Sequence, residues 1–384
     1  MTPAARYRSA AEILDRIAAG EPAERALTGW ARGARFAGSK DRAAVRDHVF
    51  DALRRWRSAA VSGGGEGGRA VILGLLRLNG IDPDTVFTGE GHAPAPLSAA
   101  ERAEGNAPEG RAAWDLPDWL CDRLAASWGP EAGTIAEALR HRAPVTLRVN
   151  TLRADLAAAR RMLEADGIET ATNPLSPTAL TVTANARRVA GSAAYRAGHV
   201  ELQDAASQAV SDLVPLPAGA RVLDLCAGGG GKTLALAARL GGGPVTAWDA
   251  DRGRMRDLPG RAERAGAEVG LPASPEGLFD VVLTDVPCSG SGAWRRAPEA
   301  KWRLTETRLA ELHRLQDGIL DRATTLLRPG GTLVYATCSV LSDENDARID
   351  TFLARHDGWR CTLRRNFLPD QAGDGFFTAH LMRE

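Results

Sequence analysis

The chain has 384 residues, 44% of them hydrophobic and 25% charged, and its 48 basic and 48 acidic side chains leave no net charge. That length exceeds one ordinary domain, so two or three are expected, and the composition excludes general disorder. No apolar run approaches the ~18 residues of a membrane span, the first residues lack the apolar core of a secretory signal, and the neutral balance gives no chain-wide nucleic-acid signal; a cytosolic protein with no membrane association is expected.

Periodicity predicts helices over residues 7–57, where Ile13, Leu14 and Ile17, and then Val45, Val49, Phe50 and Leu53, keep helical spacing. Residues 1–60 carry 12 Lys/Arg against 7 Asp/Glu. Ser62–Gly68 is a glycine loop, Ala70–Leu78 a short apolar helix, and about 89–111, rich in Gly, Pro, Ala and Glu, a linker. From Trp114 two helical segments lead to a strand at 145–150. A helix over 155–165 and a strand at 180–183 complete a small α/β unit. After Gln203-Asp204 another helix precedes a regular alternation. Its strands are 222–225, 245–249, 279–284 and 332–336, and its helices are 233–240 and roughly 304–327. Strands alternating with helices predict a parallel, doubly wound sheet. The expected division is 1–110, helical; 113–200, small α/β; and 201–384, the doubly wound domain.

Gly228–Gly231 followed by Lys232 and Thr233 invites a phosphate-binding reading, but that motif needs glycine at 226, where Cys226 stands. An adenosine-type site fits better. The loop follows a strand, and Asp249 closes the next strand about twenty residues on, where a carboxylate accepts ribose hydroxyls. The loop alone does not separate NAD from S-adenosylmethionine.

The cysteines narrow the choice. The five (121, 226, 288, 338, 361) are scattered without a Cys-x-x-Cys pair, which speaks against a disulfide framework and a metal site. Asp285-Val-Pro-Cys288 follows one strand and Thr337-Cys338-Ser339 follows another, so both thiols are delivered to the sheet edge that carries the glycine loop. Two thiols suit covalent chemistry on cytosine. A thiolate adding at carbon-6 makes carbon-5 nucleophilic enough to take a sulfonium methyl. A carboxylate such as Asp285 can hydrogen-bond the base edge as charge develops.

From Trp114 onward the chain resembles the nucleolar Sun family of RNA cytosine-5 methyltransferases, and its bacterial ribosomal-RNA members in particular. The resemblance lies in 147–152 (Leu-Arg-Val-Asn-Thr-Leu), 203–208 (Gln-Asp-Ala-Ala-Ser-Gln), 224–233, 285–292, Lys301-Trp302, 335–339 and Gly373-Asp-Gly-Phe-Phe377. It implies a class I, Rossmann-like methyltransferase domain beside a small α/β (RRM-like) subdomain and an N-terminal all-α, NusB-like domain. It also implies S-adenosylmethionine as cofactor, held by Cys226, Ala227, Gly228, Gly229, Gly230, Gly231, Lys232, Asp249 and Asp285. Cys338 is the implied nucleophile and Cys288 the implied releasing group, with Asp285 beside cofactor and base. DNA enzymes attack with the Pro-Cys cysteine, so carrying both thiols points to RNA: ribosomal RNA, with tRNA the alternative, bound by a monomer.

Three departures stand out. Gly228 and Gly229 replace an Ala-Pro of the family loop, Glu268–Ser274 lacks the family's acid near adenine, and residues 1–110 look shorter than the NusB-like domain. Arg32, Arg35, Lys40, Arg42 and Arg46 are candidate phosphate contacts, and Arg295-Arg296 better ones. The rival readings are a catalytically silent RNA-binding or assembly factor on the same fold, and an amino-group methyltransferase. The latter would favour Asn/Asp-Pro-Pro-Tyr over Asp285-Val-Pro-Cys288.

Overall fold

A computed structural model describes residues 1–383, which form two compact units. One is Met1–Arg142 together with Trp294–Arg303; the other is Ala143–Ala293 with the chain from Leu304 onward. No helix among the described residues is long and apolar enough to cross a membrane.

The first unit is all-helical, in keeping with the expected NusB-like class. Its first helix, Pro3–Ala18, starts with proline at its first position, and the Thr2 side chain accepts from the Ala5 amide, two features that favour a helix start. Ile13 and Leu14 are buried with Val45, Val49 and Leu53 of helix Ser39–Arg54. The apolar helix Gly68–Leu78 packs against Trp56–Gly63 at backbone contact: a Cβ on Gly74 would stand 1.8 Å from the Ala59 carbonyl oxygen, so only glycine fits.

The expected linker is more ordered than its composition suggests. It holds a short helix, Ala99–Ala103, with a Ser98–Glu101 capping box. Arg69 bonds Glu101 at 2.6 Å and holds its carboxyl down at about pH 2, while Arg77 donates to the Ser62, Glu101 and Glu104 carbonyls. The bonds to Glu101 and Glu104 tie the segment to a helix 24 to 32 residues away in sequence, which periodicity cannot register.

The second unit holds two sheets. The smaller, order β2-β3-β1-β4, is antiparallel: β1 is Thr146–Val149, β2 Glu169–Thr172, β3 Ala179–Ala184 and β4 Val200–Leu202. The larger comprises β5 (Val222–Asp224), β6 (Val245–Ala247), β7 (Val269–Gly270), β8 (Phe279–Asp285), β9 (Leu327–Thr337), β10 (Trp359–Phe367) and β11 (Phe376–Arg383). Its order is β10-β11-β9-β8-β5-β6-β7. Strands β9, β8, β5, β6 and β7 run parallel, as the α/β alternation predicts, whereas β11 and β10 add an antiparallel edge. β8 and the inner part of β9 are almost wholly buried, because helices cover both faces of a parallel sheet.

Candidate active site

The four central parallel strands deliver the chemistry. Asp224 ends β5, Asp249 lies just past β6, Asp285 ends β8, and Cys338 follows β9. In adjacent registers Asp224 pairs with Leu283 and Asp285 with Ala336, so these groups share one carboxyl edge, the usual ligand edge of an open α/β sheet.

The glycine loop turns there. Gly228 and Gly230 have φ of +49° and +80°, a left-handed backbone that side chains resist, and a Cβ on Gly230 would stand 2.2 Å from Leu258. Asp249, nearly buried, accepts from the Gly228 amide at 2.9 Å and the Asp251 amide at 2.9 Å, with Arg254 at 3.2 Å. Behind the loop Asp224 accepts from Thr233 at 2.7 Å; burial raises its pKa to about 7, and its second oxygen has no protein partner. Burial, reinforced by Asp224, also pushes the Cys226 thiol far up, so it stays protonated.

Lys232 is buried and bonds Asp285 at 2.7 Å, with its ammonium 5.0 Å from the Phe376 ring. Burial works against that charge, yet Asp285 outweighs it and the pKa ends raised; the Cys338 sulfur adds to the same pull. Lys232, at the start of helix Gly231–Arg239, is therefore not solvated but is the buried half of an ion pair whose partner, Asp285, is partly exposed at the carboxyl edge.

Cys288 and Cys338 are brought together, sulfur to sulfur at 3.4 Å, unbonded. The Cys288 thiol is pushed well up, by its hydrogen bond to Cys338 first and by burial second, with the Glu344 charge adding to both. The Gly292 amide donates to the Cys338 carbonyl at 2.9 Å. Beneath the pair, fully buried Glu344 accepts from the Ser289 amide at 2.8 Å, from Gln316 at 3.1 Å and from Ser339 Oγ at 2.6 Å; the Ser289 hydroxyl is a fourth partner. Glu344 thus grips the residue that follows each cysteine.

Sequence reading missed Glu344 and Gln316, although the repeated Cys-Ser at 288–289 and 338–339 was the visible sign of a shared partner. Several quoted motifs meet in space. Arg148 bonds Gln203 at 2.7 Å, and the Asp204 carboxylate accepts from the Asp374 amide at 3.2 Å. In the stretch without the expected acid, Trp248 and Arg252 hold the Ala273 and Pro272 carbonyls. Arg295, offered as an RNA contact, is buried in the helical unit, where its carbonyl accepts from Arg54 at 2.7 Å, so the role of surface contact does not suit it; Arg296 is exposed. Cys121 lies in the helical unit and Cys361 on β10, away from the pair.

Comparison with known proteins agrees with this geometry. The family model for 16S rRNA methyltransferase RsmB/F matches residues 213–382, and that for the RsmF/B-like ferredoxin-like domain matches residues 116–188. Ribosomal RNA small subunit methyltransferase B of Xylella fastidiosa is 36% identical over 311 residues, covering 76% of this chain and 73% of that protein. Its namesake in Cronobacter sakazakii is 36% identical over 290 residues, covering 71% of this chain and 67% of that protein. A solved methyltransferase homolog from Pyrococcus horikoshii is 27% identical with a TM-score of 0.62, over 71% of this chain and 96% of that one. With the sheet, the glycine loop and the paired thiols in place, the chain belongs to the RsmB/F family, as an RNA methyltransferase that uses S-adenosylmethionine.

Proposed function

We propose that this chain methylates carbon-5 of a cytosine in small-subunit ribosomal RNA, with Cys338 as nucleophile and Cys288 serving product release. The observation that carries the reading is the pair of sulfurs 3.4 Å apart at the edge where Lys232 and Asp285 form their ion pair. Cys288 is held as a thiol, by its hydrogen bond to Cys338 first and by burial second.

S-adenosylmethionine supplies an electrophilic methyl group when bound. The loop Cys226–Lys232 fits it: left-handed glycines allow close backbone approach, and the Asp249 carboxylate keeps lone pairs for ribose hydroxyls. Asp285, which bonds Lys232 of the loop and ends β8 just before Cys288, accepts a hydrogen bond from the base. The Cys338 thiolate adds to carbon-6, and carbon-5 becomes nucleophilic and takes the methyl. The carbon-5 proton then passes to solvent, restoring the ring double bond as the carbon–sulfur bond breaks and the Cys338 thiolate leaves. Cys288 serves this last step. The base must leave its stack to reach such a pocket.

Cys338→Ala should abolish methyl transfer. Cys288→Ala should accumulate a protein–RNA adduct that survives a denaturing gel. The reverse pattern, a trapped adduct only in Cys338→Ala, overturns the assignment of roles. Bisulfite sequencing of ribosomal RNA with and without the chain should show one lost 5-methylcytosine. If none is lost, the substrate reading fails.

A further inference from the structure

Gly228–Gly231 is a run of four glycines, the most flexible stretch the backbone can offer, in the loop that receives the cofactor. Ordering one residue costs roughly 1–2 kcal/mol of backbone entropy, so a loop of this kind binds tightly only if other groups already hold it. Three of the four are held from nearby. Asp249 takes the Gly228 amide, Gly230 sits against Leu258, and Gly231 begins helix Gly231–Arg239. Gly229 is exposed and outside the left-handed region, and its carbonyl accepts from the Arg261 guanidinium.

Arg261 is itself anchored in the other sheet of this unit. Its second nitrogen bonds Glu201 of β4 at 2.9 Å, and Arg264 bonds the other oxygen of the same carboxylate. Glu201 is 1% exposed. A carboxylate so buried is tolerated only when its charge is matched, and breaking such a pair is strongly destabilising, so Glu201 is a fixed point. Asn150, just past β1, fastens the same helix, Leu258–Ala265, by bonding the Gly198 and Ala265 carbonyls at 2.8 Å each. A continuous chain therefore runs from the four-stranded sheet through Glu201 and Arg261 to the Gly229 carbonyl.

We infer that Arg261 is a positioning residue for the cofactor loop, and that the four-stranded sheet, acting through Glu201, raises affinity for S-adenosylmethionine by holding Gly229 in place. This rests on Cys226–Lys232 being the cofactor loop. Arginine suits the task because its planar fork reaches a carboxylate and a carbonyl at once.

The test is calorimetric titration of the full chain with S-adenosylhomocysteine, with thermal unfolding of each variant as control. Arg261→Ala should weaken binding about tenfold, the loss of order in one loop residue. Arg261→Lys keeps a charge opposite Glu201 and with it the melting temperature, but should also bind more weakly. The decisive variant is Gly229→Ala in the Arg261→Ala background. The added Cβ would lie 3.3 Å from the Arg261 nitrogen, which the first substitution removes. Stiffening the loop this way should recover about two- to fivefold of the lost affinity, whereas an arginine with only a structural role would not be rescued by a methyl group on the loop. Unchanged binding in Arg261→Ala, or weakened binding with no recovery in the double variant, overturns the inference. Asp249→Ala keeps the two readings apart. Unchanged binding there overturns the cofactor-loop assignment, while loss there with none in Arg261→Ala overturns only the brace.

Discussion

Glu344 shows how one side chain can organise a reactive pair it does not touch. Its two oxygens collect donors from Ser289, Ser339 and Gln316, and its own backbone carbonyl accepts from the Tyr335 hydroxyl at 2.6 Å. Glu344→Gln keeps the shape but replaces one acceptor oxygen by an NH2 donor, which removes the acceptor either of the Ser289 amide and Gln316 or of the two serine hydroxyls. Leaving one buried donor unsatisfied costs about 1–3 kcal/mol. The expected outcome is a lower denaturation midpoint, together with a fall in methyl transfer larger than the unfolded fraction explains, measured at a temperature where the variant is still folded. Full activity in a folded Glu344→Gln protein would remove the carboxylate from the account. At this scale the groups proposed to react were legible as candidates: Asp285, Cys288 and Cys338 have reactive side chains and stand at or just past strand ends. Glu344 was not legible, because a glutamate in a helix-flanking turn reads as a solvated residue until its neighbours in space are known.

At the scale of elements, single glycines let backbone segments approach closely. Gly292, at the end of the Pro-Cys loop, exchanges backbone hydrogen bonds with two segments, donating to Cys338 at 2.9 Å and accepting from Gly375 at 3.0 Å. A Cβ on Gly292 would stand 2.1 Å from the Gly375 carbonyl oxygen, a backbone atom that cannot swing aside. Gly292→Ala should therefore destabilise the second unit by about 1–3 kcal/mol, the usual effect of overpacking, read from the urea midpoint. A midpoint unchanged within error would mean the loops separate freely. The same contact explains why Gly373–Phe377 and 285–292 were recognisable as separate motifs: each is half of one junction. The antiparallel edge, β10 and β11, escaped sequence reading: β10 is largely exposed, and β11 is buried on both faces and so carries no two-residue alternation.

For the molecule as a whole, the chain leaves its catalytic unit after Ala293, passes through the helical unit over Trp294–Arg303, and returns at Leu304. Within the helical unit this segment is firmly held. Lys301 donates to the Arg54 carbonyl at 2.8 Å, Trp302 to the Leu53 carbonyl at 2.7 Å, and Glu299 accepts from the Ala23 amide. Lys301 is fully buried, and burial above all lowers its pKa from 10.5 to about 7. Between those values the unfolded chain binds more protons than the folded one, so this lysine makes stability rise with pH from about 7 towards 10.5 and contributes no slope below 7. The rise is on the order of 1.4 kcal/mol per pH unit. Wild-type and Lys301→Met unfolding, compared between pH 7 and 10, should diverge by that slope, with the variant flatter. Parallel curves would show that Lys301 titrates normally.

The parallel core strands with their helices, the glycine loop, the acid just past the next strand and the two thiols were all written locally: in hydrophobic period, in glycine, and in which residue follows a strand. Those features depend on neighbours a few positions apart, so one sequence suffices to read them. Tertiary structure alone decided the rest. It set the 3.4 Å approach of sulfurs fifty residues apart, paired Lys232 with Asp285 across 53 residues, and joined Glu201 to Arg261 across 60. It also buried Arg295 and Lys301, whose charge suggested the surface. Each of these turns on burial and long-range pairing, where desolvation makes a partner obligatory, and the identity of that partner depends on how distant segments fold together.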